Sequence, residues 1–228
     1  MALYSNAAMI MFYDVAPGAV DDHDDWHTHE HIPERVSIPG FLRGSRWTAE
    51  EGGPRYMMMY EVAGVEVLTG AAYLERLNNP TPWTSRIMTS LRGMTRGFYR
   101  LSAGSGLGLG GTLLPIRHSA AAGKESELRG WLAGILPGVA STPGIASAYL
   151  FEPAARPVMT KEQSIRGKDA EASSVLLVSG YDRDLMSAAV DRELGAESFR
   201  QHGAAESVRA TYRLAYSLSK MEVASDPR

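Results

Sequence analysis

The chain has 228 residues, 44% of them hydrophobic and 21% charged, a composition far from that of disorder and sufficient for one large domain or two small ones. A formal net charge of -3, with 23 Lys and Arg against 26 Asp and Glu and no dense basic stripe, argues against backbone-driven nucleic-acid binding. The absence of cysteine excludes disulfides, thiolate nucleophiles, iron–sulfur clusters and Cys-ligated zinc, and fits a reducing compartment.

No apolar stretch approaches the roughly 20 residues that span a bilayer, and the first residues lack a charged segment followed by an apolar core. A cytoplasmic protein with no membrane partner is expected. The apolar run 9–15, ended by Pro17-Gly18, predicts a buried strand. Residues 21–37 are polar, aromatic and histidine-rich and predict a helix, with Asp21 or Asp22 as N-cap and Pro33 where it kinks or ends. Pro39-Gly40 precedes a second strand over 41–49, residues 50–54 make a turn, and 55–62 form a third strand. The near-helical spacing of Val67, Leu68, Ala71, Ala72, Leu74 and Leu77 predicts a helix over 65–79, stopped by Asn78-Asn79-Pro80. After a looser segment with Trp83 and Met88, residues 97–101 predict a fourth strand. The order β-α-β-β-α-β is the ferredoxin-like split βαβ.

Residues 102–111, Ser-Ala-Gly-Ser-Gly-Leu-Gly-Leu-Gly-Gly, shift sharply in composition and predict a flexible linker between domains over 1–101 and 112–228. The same glycines lack the Gly-Lys-Ser/Thr of a phosphate-binding loop. Beyond them the order recurs: strand 112–118, helix 124–140, strands 145–152 and 174–181, helix 184–193 and strand 211–219. Pro39-Gly40-Phe41 against Pro143-Gly144-Ile145, and Tyr99-Arg100-Leu101 against Tyr212-Arg213-Leu214, mark an internal repeat. The expected fold class is therefore α+β, built of two tandem ferredoxin-like β-α-β-β-α-β units. Residues 154–173 are polar and aperiodic, which suits a disordered segment, a lid or an assembly arm.

Four of the six histidines fall within nine residues, His23, His27, His29 and His31. On a helix His23, His27 and His31 repeat at i, i+4 and i+8 and share a face with Glu30 or Glu34 alongside, while His29 points elsewhere. Imidazoles flanked by carboxylates suit proton transfer near neutral pH. His27-x3-His31 also has the spacing of two zinc ligands, with Glu30 or His23 as a third, but Thr28 stands where a metalloprotease has Glu. No metal is expected.

At this helix the sequence resembles the dimeric α+β-barrel superfamily, in particular its EthD-like branch. Trp26 takes that branch's first aromatic position, His31-Ile32-Pro33 its His-x-Pro, and Pro39-Gly40 follows eight residues beyond His31. The chain departs from the pattern at His27, where a second aromatic usually stands, and at His29. The likeness covers residues 8–101, and no His-x-Pro recurs over 124–140, so the first half would carry the site and the second would be a degenerate partner. The resemblance implies two sheets closed into a barrel, within one chain or between chains, a homodimer, and a pocket between the sheet and its own helices. Members include cofactor-free muconolactone isomerases, polyketide cyclases and hydroxynitrile lyases, while other branches bind haem or act as small quinone-forming monooxygenases.

The function expected from these residues and this resemblance is a cofactor-independent lyase or isomerase acting on a small apolar, aromatic or lactone-like substrate. His31 is the main acid/base, His27 the second, Asp22 or Glu30 the orienting carboxylate, and Tyr60 or Tyr99 a hydroxyl donor. Arg46 or Arg100 would stabilise an anion. His23, His29, Trp26, Trp47 and Met57 complete the substrate-binding set, with Phe12, Met59 and Trp83 adding apolar lining, and plain core is the alternative for each apolar side chain. The alternative functions are a haem protein with a histidine axial ligand, a monooxygenase-type barrel, or a non-catalytic EthD-like accessory protein.

Overall fold

The computed structural model describes residues 3–155 and 158–225. The first unit consists of β1 (Ala7–Val15), a helical segment, β2 (Phe41–Glu51), β3 (Tyr56–Val62), α3 (Ala71–Asn78), α4 (Pro82–Met88) and β4 (Leu91–Gly106). The helical segment is α1 (Val20–Trp26), a π-helical turn His27–His31 and α2 (Ile32–Ser37). The second unit has β5 (Thr112–Ala120), α5 (Glu125–Ala140), β6 (Ile145–Ala155), α6 (Lys161–Arg166) and β7 (Ser174–Gly180). It continues with α7 (Arg183–Glu193), α8 (Ala196–Gln201), β8 (Ala204–Arg209), β9 (Thr211–Ser219) and α9 (Lys220–Ser225). Among the described residues no helix is long and apolar enough to cross a membrane.

The strands run in the order β7-β6-β4-β1-β3-β2-β9-β5, and β5 pairs back to β7, so eight antiparallel strands close a barrel within one chain. Two junctions join the units: β4 to β6, with Leu101 opposite Phe151, and β2 to β9, with Trp47 opposite Leu214. β8 adds to β5 outside this ring. Closure leaves each strand with an inner face in the barrel and an outer face under helices. In β1 Met9, Met11 and Tyr13 face the helices while Ala8, Ile10 and Phe12 face the interior, and all six are buried. A strand covered on both faces reads as a continuous apolar run.

The interior is filled by Phe12, Trp47, Met57, Tyr99, Tyr149 and Tyr212, among others. Trp47, Met57 and Tyr99 were expected at a substrate pocket beside the histidine helix; they are on the opposite face of the sheet, because they alternate with its helix-facing residues. Phe12 and Met59 share that fate. Tyr99 donates its hydroxyl to the Ser173 carbonyl at 3.0 Å, and Arg100, the other expected anion binder on β4, is exposed.

Other departures have local causes. The first helix starts at Val20 with Ala19 at its N-cap, so Asp21 and Asp22 sit in its first turn, where carboxylates complement the helix dipole. The helix expected over 65–79 is broken at Gly70, which is extended, leaving a 3-10 turn before α3. The segment read as loose contains α4, whose Thr81 accepts a capping bond from the Thr84 amide. Residues 102–106 of the expected linker are strand paired to β6. A Cβ at Gly104 would lie 2.7 Å from the Tyr149 ring and one at Gly110 1.8 Å from the Gly180 carbonyl, so these glycines allow close approach and do not signal flexibility. Of the loop expected over 154–173, residues 156 and 157 lie outside the described residues; the rest includes the end of β6 and α6, and it crosses to the helical side of the first unit.

Candidate functional site

Three local features place the histidines. Pro33 has no N–H to give the carbonyl four residues before it, and the Ile32 N–H donates to the carbonyl of His27, five residues back. The helix widens there into a π turn, a feature that recurs at functional sites. His23, His27 and His31 are consequently buried in one stack, while His29 is exposed and outside the site. Ring centroids of His23 and His27 are 5.3 Å apart, those of His27 and His31 5.5 Å, and Trp26 covers His31 at 4.2 Å.

At the outer end His23 is fully tied: Nε2 meets the Tyr13 hydroxyl at 2.9 Å and Nδ1 meets Asp24 Oδ1 at 3.0 Å. The orienting carboxylate is thus Asp24. Asp22, expected in that role, is half-exposed and accepts bonds from Trp83 and Arg86 on α4. Glu30 faces α4 as well, accepting from Thr81 at 2.6 Å and Thr84 at 3.1 Å, and Thr84 in turn accepts the Trp26 indole N–H. Arg46 is buried but committed to Asp24, donating to its backbone carbonyl at 2.8 Å. Tyr60 is on the helix-facing side of β3, packed on Phe41, with no partner for its hydroxyl; burial raises its pKa far above the usual tyrosine value.

The inner end of the stack opens on a cavity of about 30 Å³, room for one or two waters. Met9, Met11 and Tyr13 of β1 form its sheet side, with Trp26, His27 and His31 opposite, and Arg35, Arg96, Glu162 and Arg166 close it. The Nδ1 atoms of His27 and His31 are buried without a hydrogen-bond partner. Burial is the main cause holding both imidazoles well below the ordinary histidine pKa, with Arg46, Arg35 and the neighbouring histidines adding to it. His23 is lowered too, with Asp24 opposing its desolvation. All three rings are neutral at pH 7.

Sequence reasoning missed the cavity's charged wall. Arg35 pairs with Glu34 at 2.9 Å and with Glu162 of α6; Arg96 reaches Asp169 at 3.0 Å, and Arg166 the same carboxylate at 2.8 Å. No local pattern marks Glu162, Arg166 or Asp169, which sit in an aperiodic stretch and meet the site only through the fold. Met9, Met11 and Tyr13 carried a signal in their period of two along β1.

Among the described residues no group of three His, Asp or Glu side chains is placed to hold a metal ion. Haem does not fit the residues as placed. Each candidate axial imidazole is stacked against its neighbours, and the cavity, at about 30 Å³, admits neither haem nor an aromatic ligand unless a wall moves. A groove of about 800 Å³ beside it has no histidine in its described lining.

No protein-family model and no curated protein sequence matches the chain. Among solved structures, an anthrone oxidase-like protein superposes with a TM-score of 0.68 at 12% identity, over 94% of this chain and 92% of the other. A protein of Fusobacterium nucleatum named as a monooxygenase gives 0.61 at 10% identity, over 96% of each chain. One of Lactobacillus acidophilus, also named as a monooxygenase, gives 0.55 at 8% identity, over 94% and 96%. At these identities the likeness is one of fold, an antiparallel α+β barrel of ferredoxin-like units closed here by a single polypeptide.

Proposed function

We propose that the chain is a cofactor-independent enzyme of the monooxygenase type, in which His27 and His31 remove a proton from an activated carbon of a small planar aromatic ketone or phenol and the resulting carbanion reacts with dioxygen. The observation that carries this reading is the buried, neutral His27–His31 pair with its unpartnered Nδ1 atoms, facing a cavity walled by methionines and arginines. A neutral imidazole is the proton-accepting form. Burial also weakens it as a base, so the C–H must already be acidic, as it is between aryl rings and conjugated to a carbonyl. Charge delocalised onto that carbonyl oxygen is met by the guanidinium group of Arg35, while Met9 and Met11 keep water from the carbanion.

The atoms balance without a further reductant. A CH2 group loses one proton to imidazole, the carbanion and dioxygen give a hydroperoxide, and loss of the second C–H proton with cleavage of the O–O bond releases water and leaves C=O. The names of the similar structures support oxygen chemistry over the lyase or isomerase expected from the sequence, which shares the first step and differs in the fate of the carbanion. The EthD-like branch rests on Trp26, His31-Ile32-Pro33 and the spacing from His31 to Pro39-Gly40. A homodimer belongs to this reading as well; since the barrel is already closed, the second copy docks outside it, and sedimentation velocity should show twice the chain mass.

Oxygen uptake with anthrone as probe tests the chemistry. One dioxygen consumed per anthraquinone formed is expected, with kcat/KM lowered about 10²- to 10⁴-fold in a His27→Ala, His31→Ala double variant. A double variant as active as the wild type would remove the histidines from the mechanism. Conversion of the substrate under strict anaerobiosis would return the protein to the lyase or isomerase class, and no conversion of any aromatic probe would leave it an accessory protein.

A further inference from the structure

A ligand reaching His27 and His31 has to displace one wall of a cavity that holds a water or two, and the walls differ in what holds them. One is the barrel sheet and another the histidine helix. The third is the arm formed by α6 and the residues after it, tied to the body by Ile165, which packs on the core of the first unit, and otherwise by polar contacts. The Lys161 amide donates to Asn78 at 3.1 Å and the Ala170 amide to the Met94 carbonyl at 2.8 Å. Glu162 pairs with Arg35, and Arg96 of β4 reaches Gln163 at 3.3 Å and Asp169 at 3.0 Å. Asp169, Arg96 and Arg166 are all buried, with side chains 6%, 3% and 5% exposed.

These three residues stand where three spaces meet. Arg96 lines both the histidine cavity and the groove of about 800 Å³. Arg166 lines the cavity and a second groove of about 250 Å³, and Asp169 lines both grooves. Movement of the arm removes Glu162 and Asp169 together. Arg35 keeps Glu34, and Arg166 travels with Asp169, three residues along the same arm. Arg96 alone is left without a carboxylate, in a wall shared with Met9, Met11 and Met94. A buried guanidinium stripped of its counter-ion is strongly unfavourable, so the open arm is favoured by whatever restores a negative charge there.

We infer that Arg96 anchors a carboxylate-binding subsite which the protein's own Asp169 fills when the arm is closed, and that the ligand of the histidine cavity is a small planar aromatic ketone or phenol that also carries a carboxylate. Its carboxylate replaces Asp169 on Arg96 while its ring enters beside Trp26 and His31. This names the ligand class for the site of the proposed function and rests on that reading for the site's location, not for its chemistry. Arginine suits the task because its planar fork matches a carboxylate with two parallel bonds.

Titration calorimetry of the full chain with 2-naphthoate and its uncharged isostere 2-naphthamide tests it. The wild type should prefer naphthoate at least tenfold. Asp169→Asn, which removes the competing charge, should bind naphthoate at least tenfold more tightly than the wild type. Arg96→Met should lose the preference, and Arg96→Lys, which keeps the charge, should retain part of it, separating loss of the anchor from loss of the fold. Equal binding of the two probes, no binding of either to any variant, or unchanged naphthoate affinity in Asp169→Asn overturns the inference and leaves the triad a structural ion pair. The His27→Ala, His31→Ala variant, which keeps Arg96 and Asp169, should retain the preference for naphthoate over naphthamide whatever its affinity for either. Selective binding without oxygen uptake would therefore defeat the oxygenase reading and leave the subsite standing.

Discussion

Acidification below pH 6.5 is expected to destabilise the chain by about 1.4 kcal/mol per pH unit for each histidine that stays neutral when folded. His27 and His31 are held well below the ordinary value, chiefly by burial, and His118 of β5, with neither ring nitrogen partnered, is pushed down to about 4 by its own burial. The sign follows from proton binding. Above about 6.5 these rings are neutral in both states and contribute no slope; below it the unfolded chain takes up protons that the folded chain refuses, so stability falls with pH until the folded values are reached. The three rings shifted furthest give a slope of about 4 kcal/mol per unit, to which His23, also lowered, adds until its own folded value is reached, and this is large against a typical total of about 5–15 kcal/mol. Glu34 and Glu61, raised by burial, oppose the trend as pH falls through their folded values. Urea unfolding followed by tryptophan fluorescence at a series of pH values measures the slope, and a His27→Leu, His31→Leu variant should lose about half to two thirds of it. A stability that stays flat from pH 7 to 5.5 in the wild type would mean that the imidazoles are not buried and neutral.

Trp47→Ala should cost about 3–5 kcal/mol of stability and leave KM for any substrate unchanged. Trp47 is 1% exposed inside the barrel, with Phe12, Met57 and Tyr212 in the same cluster, and its indole N–H donates to Ser45 at 3.0 Å. Truncation leaves a hole that the surrounding ladders cannot collapse into, because the ring of strands is closed by hydrogen bonds all the way round. Trp26→Ala is the contrasting case: its indole covers His31 and its N–H reaches Thr84, so it should alter kinetics as well as stability. Denaturant melts and oxygen-uptake kinetics on both variants separate the roles. A raised KM in Trp47→Ala at unchanged stability would put Trp47 back against the substrate.

The contrast between these two tryptophans marks where sequence reasoning stopped. Both are large aromatics on elements correctly expected as helix and strand, yet the choice between cavity and barrel interior depends on the side to which a strand residue points. Alternation alone divides β1 and β3 into two sets, and since both faces are buried, composition does not say which set meets the helix. Asp24 was passed over for Asp22 because a run of adjacent acidic residues offers several helical registers, and Arg46, Trp83 and Arg86 settle it from other elements. The glycines of 102–111 suggest flexibility, whereas at Gly104, Gly106 and Gly110 the neighbours need the space.

What the sequence by itself determined was local and periodic. The order of the principal strands and helices in both units, though not α4, α6, α8, β8 or α9, follows from apolar runs, caps and turn residues, and the common face of His23, His27 and His31, with His29 excluded, follows from helical spacing; these depend on interactions a few residues apart. Only the tertiary structure decided that the barrel closes within the chain, that Asp24 and not Asp22 holds His23, and that a polar segment of the second unit carries Glu162, Arg166 and Asp169 to the histidine cavity. Arg35 and Glu162 are 127 residues apart in the chain. A charge pair at that separation leaves no periodic trace, because its partners are selected by the burial they share and not by their spacing.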